Sequence, residues 1–435
     1  MKQMLLKKFI CSHRWSITLL VSWVIYLCAL DQFNLWHLIG VPHIEPLFAD
    51  LHAILSAAEC HQRGFDVFVN NPCDALNRPH VYGSLWLTLS RIDSIASHLF
   101  NLGVLLNLAF ISVVVWLVKP SSISEMLSSA LILFSPAVTL GIERANNDLV
   151  IFLLTFVSAL LLSSTRIISL VFGVLVIYIA TLLKIYPVVL FGAVILLKKD
   201  NQKIIAIIGF VIVLAALWFV TNKAEILILR NSVPKPQDHY VTGASALYTY
   251  LVRALSEVQF FTVTEFSAIV TACIVASSAW LAKRLKNDGL SELKINFNYI
   301  AFVLGLSILS FTYIINTNYD YRWIFVILML PLIFDIKRSP HTSRLTHSLT
   351  TLFFVCTLIV VWAEELRATQ VWAISLKLTQ FFSFYNYTLY MQTVGHSIPI
   401  SLLQQCAREV AACVVFAIAF SFVIRISFKR RLSLS

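Results

Sequence analysis

Charge is scarce in this chain. Only 13% of its 435 residues are Asp, Glu, Lys or Arg, whereas 59% are hydrophobic, and the mean hydropathy is +0.82. A soluble domain of this length would have to hide more apolar surface than its core can hold, so a soluble globular class is excluded. A Gly-rich phosphate loop, zinc-ligand spacing and a CxxC pair are also missing, which removes the nucleotide-loop, zinc-site and redox-motif readings. No internal repeat, low-complexity linker or second soluble domain is visible. The apolar stretch from Trp15 to Leu30 lacks a small-residue cleavage site behind its basic start (Lys2, Lys7, Lys8, Arg14), so it reads as a retained signal anchor. The formal charge of +11 has no basic aromatic surface behind it. It comes from short clusters between apolar spans, which excludes nucleic acid as a partner and suits a membrane protein.

What the chain has instead is a succession of apolar runs, near 15–32, 97–118, 123–140, 148–164, 167–183, 186–197, 203–221, 263–282, 297–315, 321–335, 346–363 and 409–427. Read as spans, they predict an all-α polytopic integral membrane protein with about 12 transmembrane helices (range 11–13) in one domain over 1–435. The run 186–197 is shorter than the roughly 20 residues a perpendicular span needs, and Pro187 disfavours an unbroken helix there. With Lys2 to Arg14 inside, the segments beginning at Lys119, Arg166, Lys198, Lys283 and Lys337 and the tail Arg425 to Arg431 fall on the same side. That side then collects most of the basic residues and few acidic ones, so both termini are expected in the cytoplasm of a bacterial inner-membrane protein.

Three long segments then face outward. Segment 33–96 carries helix-like spacing from Asp50 to Gln62 and a second amphipathic stretch from Tyr82 to Ile92, separated by Asn70-Asn71-Pro72 and Asn77-Arg78-Pro79. Segment 222–262 contains Pro234-Lys235-Pro236. Segment 364–408 opens with Glu364-Glu365 and carries the aromatic tract Phe381, Phe382, Phe384, Tyr385, Tyr387 and Tyr390. Such tracts favour the headgroup level, so these loops are expected to lie on or dip into the membrane. Most cysteines sit in or beside apolar spans as small buried side chains. Cys60 and Cys73 both fall in the first polar segment, where an oxidising compartment would let them close a short disulfide loop.

Polar strings stand at the mouths of several spans: Glu45 to Asp50, Glu143-Arg144-Ala145-Asn146-Asn147-Asp148, Lys184-Ile185-Tyr186-Pro187 and Asn316 to Arg322. Such groups are costly to bury singly and tolerable around a wet cavity. Each also has a plain reading. Asp50 is either a helix N-cap or a carboxylate able to take a proton from a sugar hydroxyl. Glu143, Arg144 and Asp148 either pair locally at a helix start or, with Asn146 and Asn147, bond sugar hydroxyls. Lys184 either snorkels or meets a lipid phosphate. Arg322, beside Asp320 and Tyr321, either makes a surface contact with Asp320 or offers a forked donor set to the same phosphate.

Taken together, Phe48-Ala49-Asp50-Leu51, Gly64-Phe65-Asp66-Val67-Phe68 with Asn71-Pro72-Cys73-Asp74, Glu143 to Asp148, Lys184 to Pro187 and Asn318-Tyr319-Asp320-Tyr321-Arg322 resemble bacterial polyprenyl-phosphate-dependent glycosyltransferases of the multi-span GT-C fold. Glycosyltransferase family 87, also described as DUF2029, is the closest match. The resemblance spans about 48–322. It implies Asp50 as catalytic base in the first external loop and a polyprenyl-phosphate hexose, mannose-like, as donor. It also implies inverting attack and an extracytoplasmic glycan or glycolipid as acceptor, with the site facing the periplasm. Glu143, Arg144, Asn146, Asn147, Asp148, Lys184, Tyr186, Asp320, Tyr321 and Arg322 become the substrate-binding set. No cofactor is required in this reading, and a metal is unnecessary if Lys184 and Arg322 offset the phosphate charge. Val67-Phe68 departs from the family, which often shows Tyr or Pro after the position of Asp66, and this leaves the sugar open. Rival readings are a glycan polymerase or ligase and a glycolipid flippase or transporter, for which broken helices and midplane polar groups would speak.

Overall fold

A bilayer offers no water to the backbone, so apolar runs satisfy their N–H and C=O groups by coiling into helices. The computed structural model describes residues 2–198, 202–221, 241–254, 261–285, 288–315, 318–363 and 399–432. Pro234-Lys235-Pro236, Asn316, Glu364-Glu365 and the aromatic tract Phe381 to Tyr390 lie outside the described residues. The described helices are α1 (Lys2–Gln32), α2 (Ala49–Gln62), α3 (Leu99–Val118), α4 (Ile123–Leu133), α5 (Pro136–Glu143), α6 (Asn147–Ser163), α7 (Ile167–Leu183), α8 (Val189–Lys198) and α9 (Gln202–Thr221). After these come α10 (Ala244–Ala254), α11 (Val263–Arg284), α12 (Phe297–Ile315), α13 (Leu330–Arg338), α14 (Arg344–Val361) and α15 (Pro399–Leu432). Two short strands, β1 (Val241–Thr242) and β2 (Asn318–Tyr319), pair antiparallel with Val241 opposite Tyr319.

The expectation of about 12 spans is corrected by this architecture. Among the described residues, six helices are long and apolar enough to cross a membrane: Arg14–Gln32, Ile95–Val118, Val263–Arg284, Phe297–Ile315, Arg344–Val361 and Gln404–Ser427. A seventh is added if α4 and α5, bent by 57° at their junction, act as one broken span. The other runs split in two ways. Asn147–Ser163, Ile167–Leu183, Tyr186–Leu197 and Ile205–Leu217 form apolar helices of only 10–17 residues, less than the ~20 that a 30 Å hydrocarbon core demands. The run 321–335 divides between a 3-10 helix, Asp320–Met329, and α13. Its Trp323, Ile324, Phe325, Val326 and Ile327 are fully buried in protein. An apolar run reads alike whether lipid or protein surrounds it, so the sequence overcounted. The protein is a membrane-spanning helical bundle.

Helix starts follow local chemistry. Ser122 and Ser343 cap α4 and α14 by accepting from N–H groups three residues on, and Thr262 with Glu265 closes a capping box at α11. Pro136 opens α5, where its missing N–H costs nothing. An aromatic chain, Trp23–Phe110–Phe152–Phe325–Tyr186, ties α1, α3, α6 and the 320–329 helix together with ring centroids 5.0–6.2 Å apart. It ends at one of the polar strings.

The segment before α3 is seated on this bundle at two close approaches. At Gly103 of α3 an added Cβ would lie 2.1 Å from the Phe48 ring, so glycine opens the berth that the residue before α2 fills. At Gly83 a Cβ would lie 1.8 Å from the Leu182 carbonyl oxygen, and the Gly83 N–H donates to Leu183 O at 3.1 Å. This contact brings Tyr82 beside Lys184, at the end of α7.

Candidate active site

The first turn of α2 docks onto the turn between α5 and α6. Helix N-termini leave backbone donors without internal partners, and here the N–H groups of Asp50 and Leu51 donate to Arg144 O at 3.3 and 3.4 Å. Phe48, with φ 59°, sets the entry angle. The residue in cap position is therefore Phe48, and no side chain caps the helix. Asp50 instead lies in the first turn with its carboxylate turned to other elements. Asn146 Nδ2 donates to its Oδ2 at 2.5 Å, and Arg78 Nη1 donates to its Oδ1 at 3.3 Å. The Asp50 side chain is 11% exposed.

Arg78 appeared in the sequence only as part of a turn signal, and no periodicity singles it out. Its partner Asp74 has a fully buried side chain that accepts from Arg78 Nε at 2.9 Å, from Arg78 Nη2 at 3.1 Å, from the Arg78 N–H at 2.9 Å and from His52 Nδ1 at 3.0 Å. Burial opposes ionisation of Asp74, but these bonds from His52 and Arg78 prevail and hold its carboxyl well below the usual range. Cys60 of α2 and Cys73 are joined by a disulfide, with Cα atoms 5.8 Å apart.

A second carboxylate, Asp148 in the first turn of α6, gathers the remaining polar strings. Lys184 Nζ donates to its Oδ1 at 2.5 Å and Tyr186 Oη at 2.8 Å, while Arg322 Nε lies 3.4 Å from its Oδ2. The Asp148 side chain is fully buried, whereas those of Lys184 and Arg322 keep 13% and 12% exposure. Asn146 joins the two centres: its Oδ1 accepts the Asp148 N–H at 2.8 Å as the α6 cap while its Nδ2 holds Asp50. The Lys184 ammonium sits 5.4, 5.5 and 5.9 Å from the ring centres of Tyr82, Tyr186 and Tyr321. Burial, then the Asp50 and Asp148 carboxylates, push the Tyr82 hydroxyl far above its ordinary pKa, with Arg78 opposing.

Other residues of the expected set stand apart. Glu143 accepts from His43 Nδ1 at 2.9 Å and from the Ile44 N–H at 3.2 Å, with Arg144 Nε 3.6 Å away, so it anchors the chain leading into α2. Asn147 is buried, and neither atom of its amide has a hydrogen-bond partner among the described residues. Asp320 pairs with Arg408 of α15 at 3.4 Å and not with Arg322. Tyr321 does stay at the site: its ring stacks on Tyr319 at 5.3 Å and flanks the Lys184 ammonium. Arg408 also reaches Glu409 at 3.5 Å, and Glu409 accepts the Gly243 N–H at 3.1 Å. This buried network braces the strand pair just before the 3-10 helix that carries Arg322; the sequence offered no signal for it because Arg408 and Glu409 fall at the junction of the outward segment 364–408 and the apolar run 409–427. Among the described residues no group of three or more His, Cys, Asp or Glu could hold a metal ion.

The profile of glycosyltransferase family 87 matches residues 92–310, half of the chain. The chain belongs to glycosyltransferase family 87. Glycosyl transfer is thus its activity in general terms. No curated protein and no solved structure matches the chain. The family match contains the Glu143 to Asp148 string, Lys184 and Tyr186, whereas Asp50, Arg78 and Arg322 lie outside it. Tertiary structure alone joins those three to the matched region.

Proposed function

We propose that this family member transfers a mannose-like hexose from a polyprenyl-phosphate sugar to an extracytoplasmic glycan or glycolipid, with inversion and with Asp50 as general base. The observation that carries this reading is that, of the two aspartates joined through the Asn146 amide, which holds the Asp50 carboxylate and the Asp148 backbone N–H, only Asp50 keeps an exposed carboxylate edge. A carboxylate offers about four lone-pair sites, and Asp50 accepts two side-chain hydrogen bonds among the described residues. Room remains for an acceptor hydroxyl. In the reaction, the acceptor oxygen bonds to the anomeric carbon as that carbon's bond to the phosphate oxygen breaks. The acceptor proton passes to Asp50, and the polyprenyl phosphate leaves with the bonding pair. One displacement inverts the anomeric centre, and because phosphate already activates the donor, one carboxylate suffices.

Lys184 and Arg322 share the Asp148 carboxylate and keep exposed edges on the same site. We assign them to the donor phosphate, whose charge grows as the bond breaks. Asp148 then acts from behind, fixing both cationic heads. The basic clusters favour a bacterial inner-membrane placement with cytoplasmic termini and a periplasmic site. Purified protein incubated with several polyprenyl-phosphate hexoses and a membrane glycan extract, followed by mass, tests the assignment. Transfer of one hexose is expected. Failure of every lipid-phosphate sugar, together with translocation of a lipid-linked oligosaccharide, would replace it with transport.

A further inference from the structure

We propose that Arg78 is the positioning residue for the Asp50 carboxylate, acting through a splint formed by residues 73–78 along α2; this rests on Asp50 being the base. Arg78 spends its fork on both sides of a gap. Nη1 donates to Asp50 Oδ1 at 3.3 Å and Nη2 to Ala49 O at 2.6 Å, both at the start of α2, while Nε and Nη2 grip Asp74 at 2.9 and 3.1 Å. Asp74 is also held by His52, one turn further along α2. The preceding residue, Cys73, is bonded to Cys60 near the other end of the same helix. The eleven-residue step from Ala49 to Cys60 rises about 16 Å at 1.5 Å per residue. The short segment is thus tied to α2 near both ends.

The consequence falls on the Asp50 side chain. An aspartate in an open first turn has several rotamers. Here each oxygen is held from a different element, Oδ1 by Arg78 of the splint and Oδ2 by Asn146 at the start of α6. Two such bonds on two oxygens fix both the position and the plane of the carboxylate. Lysine would not do the same, because a single ammonium cannot span Asp74, Ala49 O and Asp50 as the planar fork does. Small misplacement of a catalytic group costs up to about a hundredfold in rate, so the splint acts on turnover and leaves donor binding, which uses Lys184 and Arg322, alone.

The test measures kcat and donor KM with a lipid-phosphate hexose for Arg78→Ala, Arg78→Lys and Asp74→Asn, alongside Asp50→Asn. Arg78→Ala should lower kcat about ten- to a hundredfold with donor KM unchanged, and guanidinium ion at sub-denaturing concentration should restore part of the loss. Arg78→Lys should not regain wild-type turnover. Combined with Asp50→Asn, Arg78→Ala should cost nothing further. Unchanged kcat in folded Arg78→Ala overturns the proposal, as does a loss that guanidinium fails to relieve and that tracks a lower melting temperature. If Arg78→Ala does not fold, Asp74→Asn decides: a fall in kcat at constant KM supports the splint, and full turnover sinks it. An active Asp50→Asn overturns the base assignment itself, whereas an inactive Asp50→Asn beside a fully active Arg78→Ala removes only this inference.

Discussion

Asp50 and Asp148 are aspartates held by opposite ends of one asparagine amide, Asp50 by its carboxylate and Asp148 by its backbone N–H, and their carboxylates differ in accessibility. Asp148 is sealed, with a lysine, a tyrosine and an arginine from two further parts of the chain on its oxygens. Asp50 keeps an exposed edge and accepts one bond on each oxygen. A sealed carboxylate offers no edge to a substrate hydroxyl, so its charge organises the protein. An open one retains capacity for chemistry. Two acids of the same type, each in the first turn of a helix, thus come to different ends through what surrounds them.

The comparison is tested hardest by exchanging each acid for its amide. Asp50→Asn should lower turnover by roughly 10²–10⁴-fold, the usual contribution of a general base, with the melting temperature near that of the parent. Asp148→Asn should instead reduce stability by about 3–5 kcal/mol, because it leaves buried cationic heads without their carboxylate. Thermal unfolding in detergent beside the transfer assay reads both. If Asp50→Asn melts early and Asp148→Asn stays stable, the roles are reversed.

A smaller effect separates the cationic partners from the base. Lys184→Met or Arg322→Gln should raise donor KM by an amount worth about 1.5–3 kcal/mol, the range for a hydrogen bond to a charged group. The response to acceptor concentration should not change. Steady-state kinetics with donor and acceptor varied in turn would show it, and an unchanged donor KM in both variants would remove them from the phosphate site.

The smallest effect is a pH response confined to the Asp50 side. Burial, with a minor contribution from His61, pushes His80 down to about 4 against the pull of its contact with Gly83 O. The unfolded chain, with histidine at its ordinary value of about 6.5, takes up the proton first. Stability of this segment is therefore complete above about pH 6.5 and declines as pH falls toward about 4. Asp74, held below its ordinary value, adds a loss only at more acid pH, below about 3.9. Hydrogen-exchange protection across 49–98, taken relative to the intrinsic rate at each pH, should fall over the first interval while that of α6 holds. An equal fall in both would refute a local origin.

Much of this site was legible because polar strings at the mouths of several apolar runs are costly to bury singly and tolerable around one shared wet cavity. Asp50, Asn146, Asp148, Lys184, Tyr186 and Arg322 stood out on that ground, and they meet in space. Arg78 and His52 did not stand out, and Asp74 figured only as part of a motif without a role, since a polar residue in a polar loop is ordinary until its partner is known. Asp320 was placed beside Arg322 by adjacency, yet successive residues diverge, and Asp320 turns to Arg408, 88 positions away.

Composition by itself determined that the chain is a helical membrane protein, because hydrophobicity belongs to residue type and a bilayer admits few backbone forms. It could not determine which apolar runs cross, because lipid and protein interior reward the same side chains. Tertiary structure decided that the run 321–335 is core, that 147–163 and 167–183 fold as helices short of a full span, and that Arg78 lies on Asp50. Those outcomes depend on the path of the backbone between distant residues, which no local pattern of residue types records.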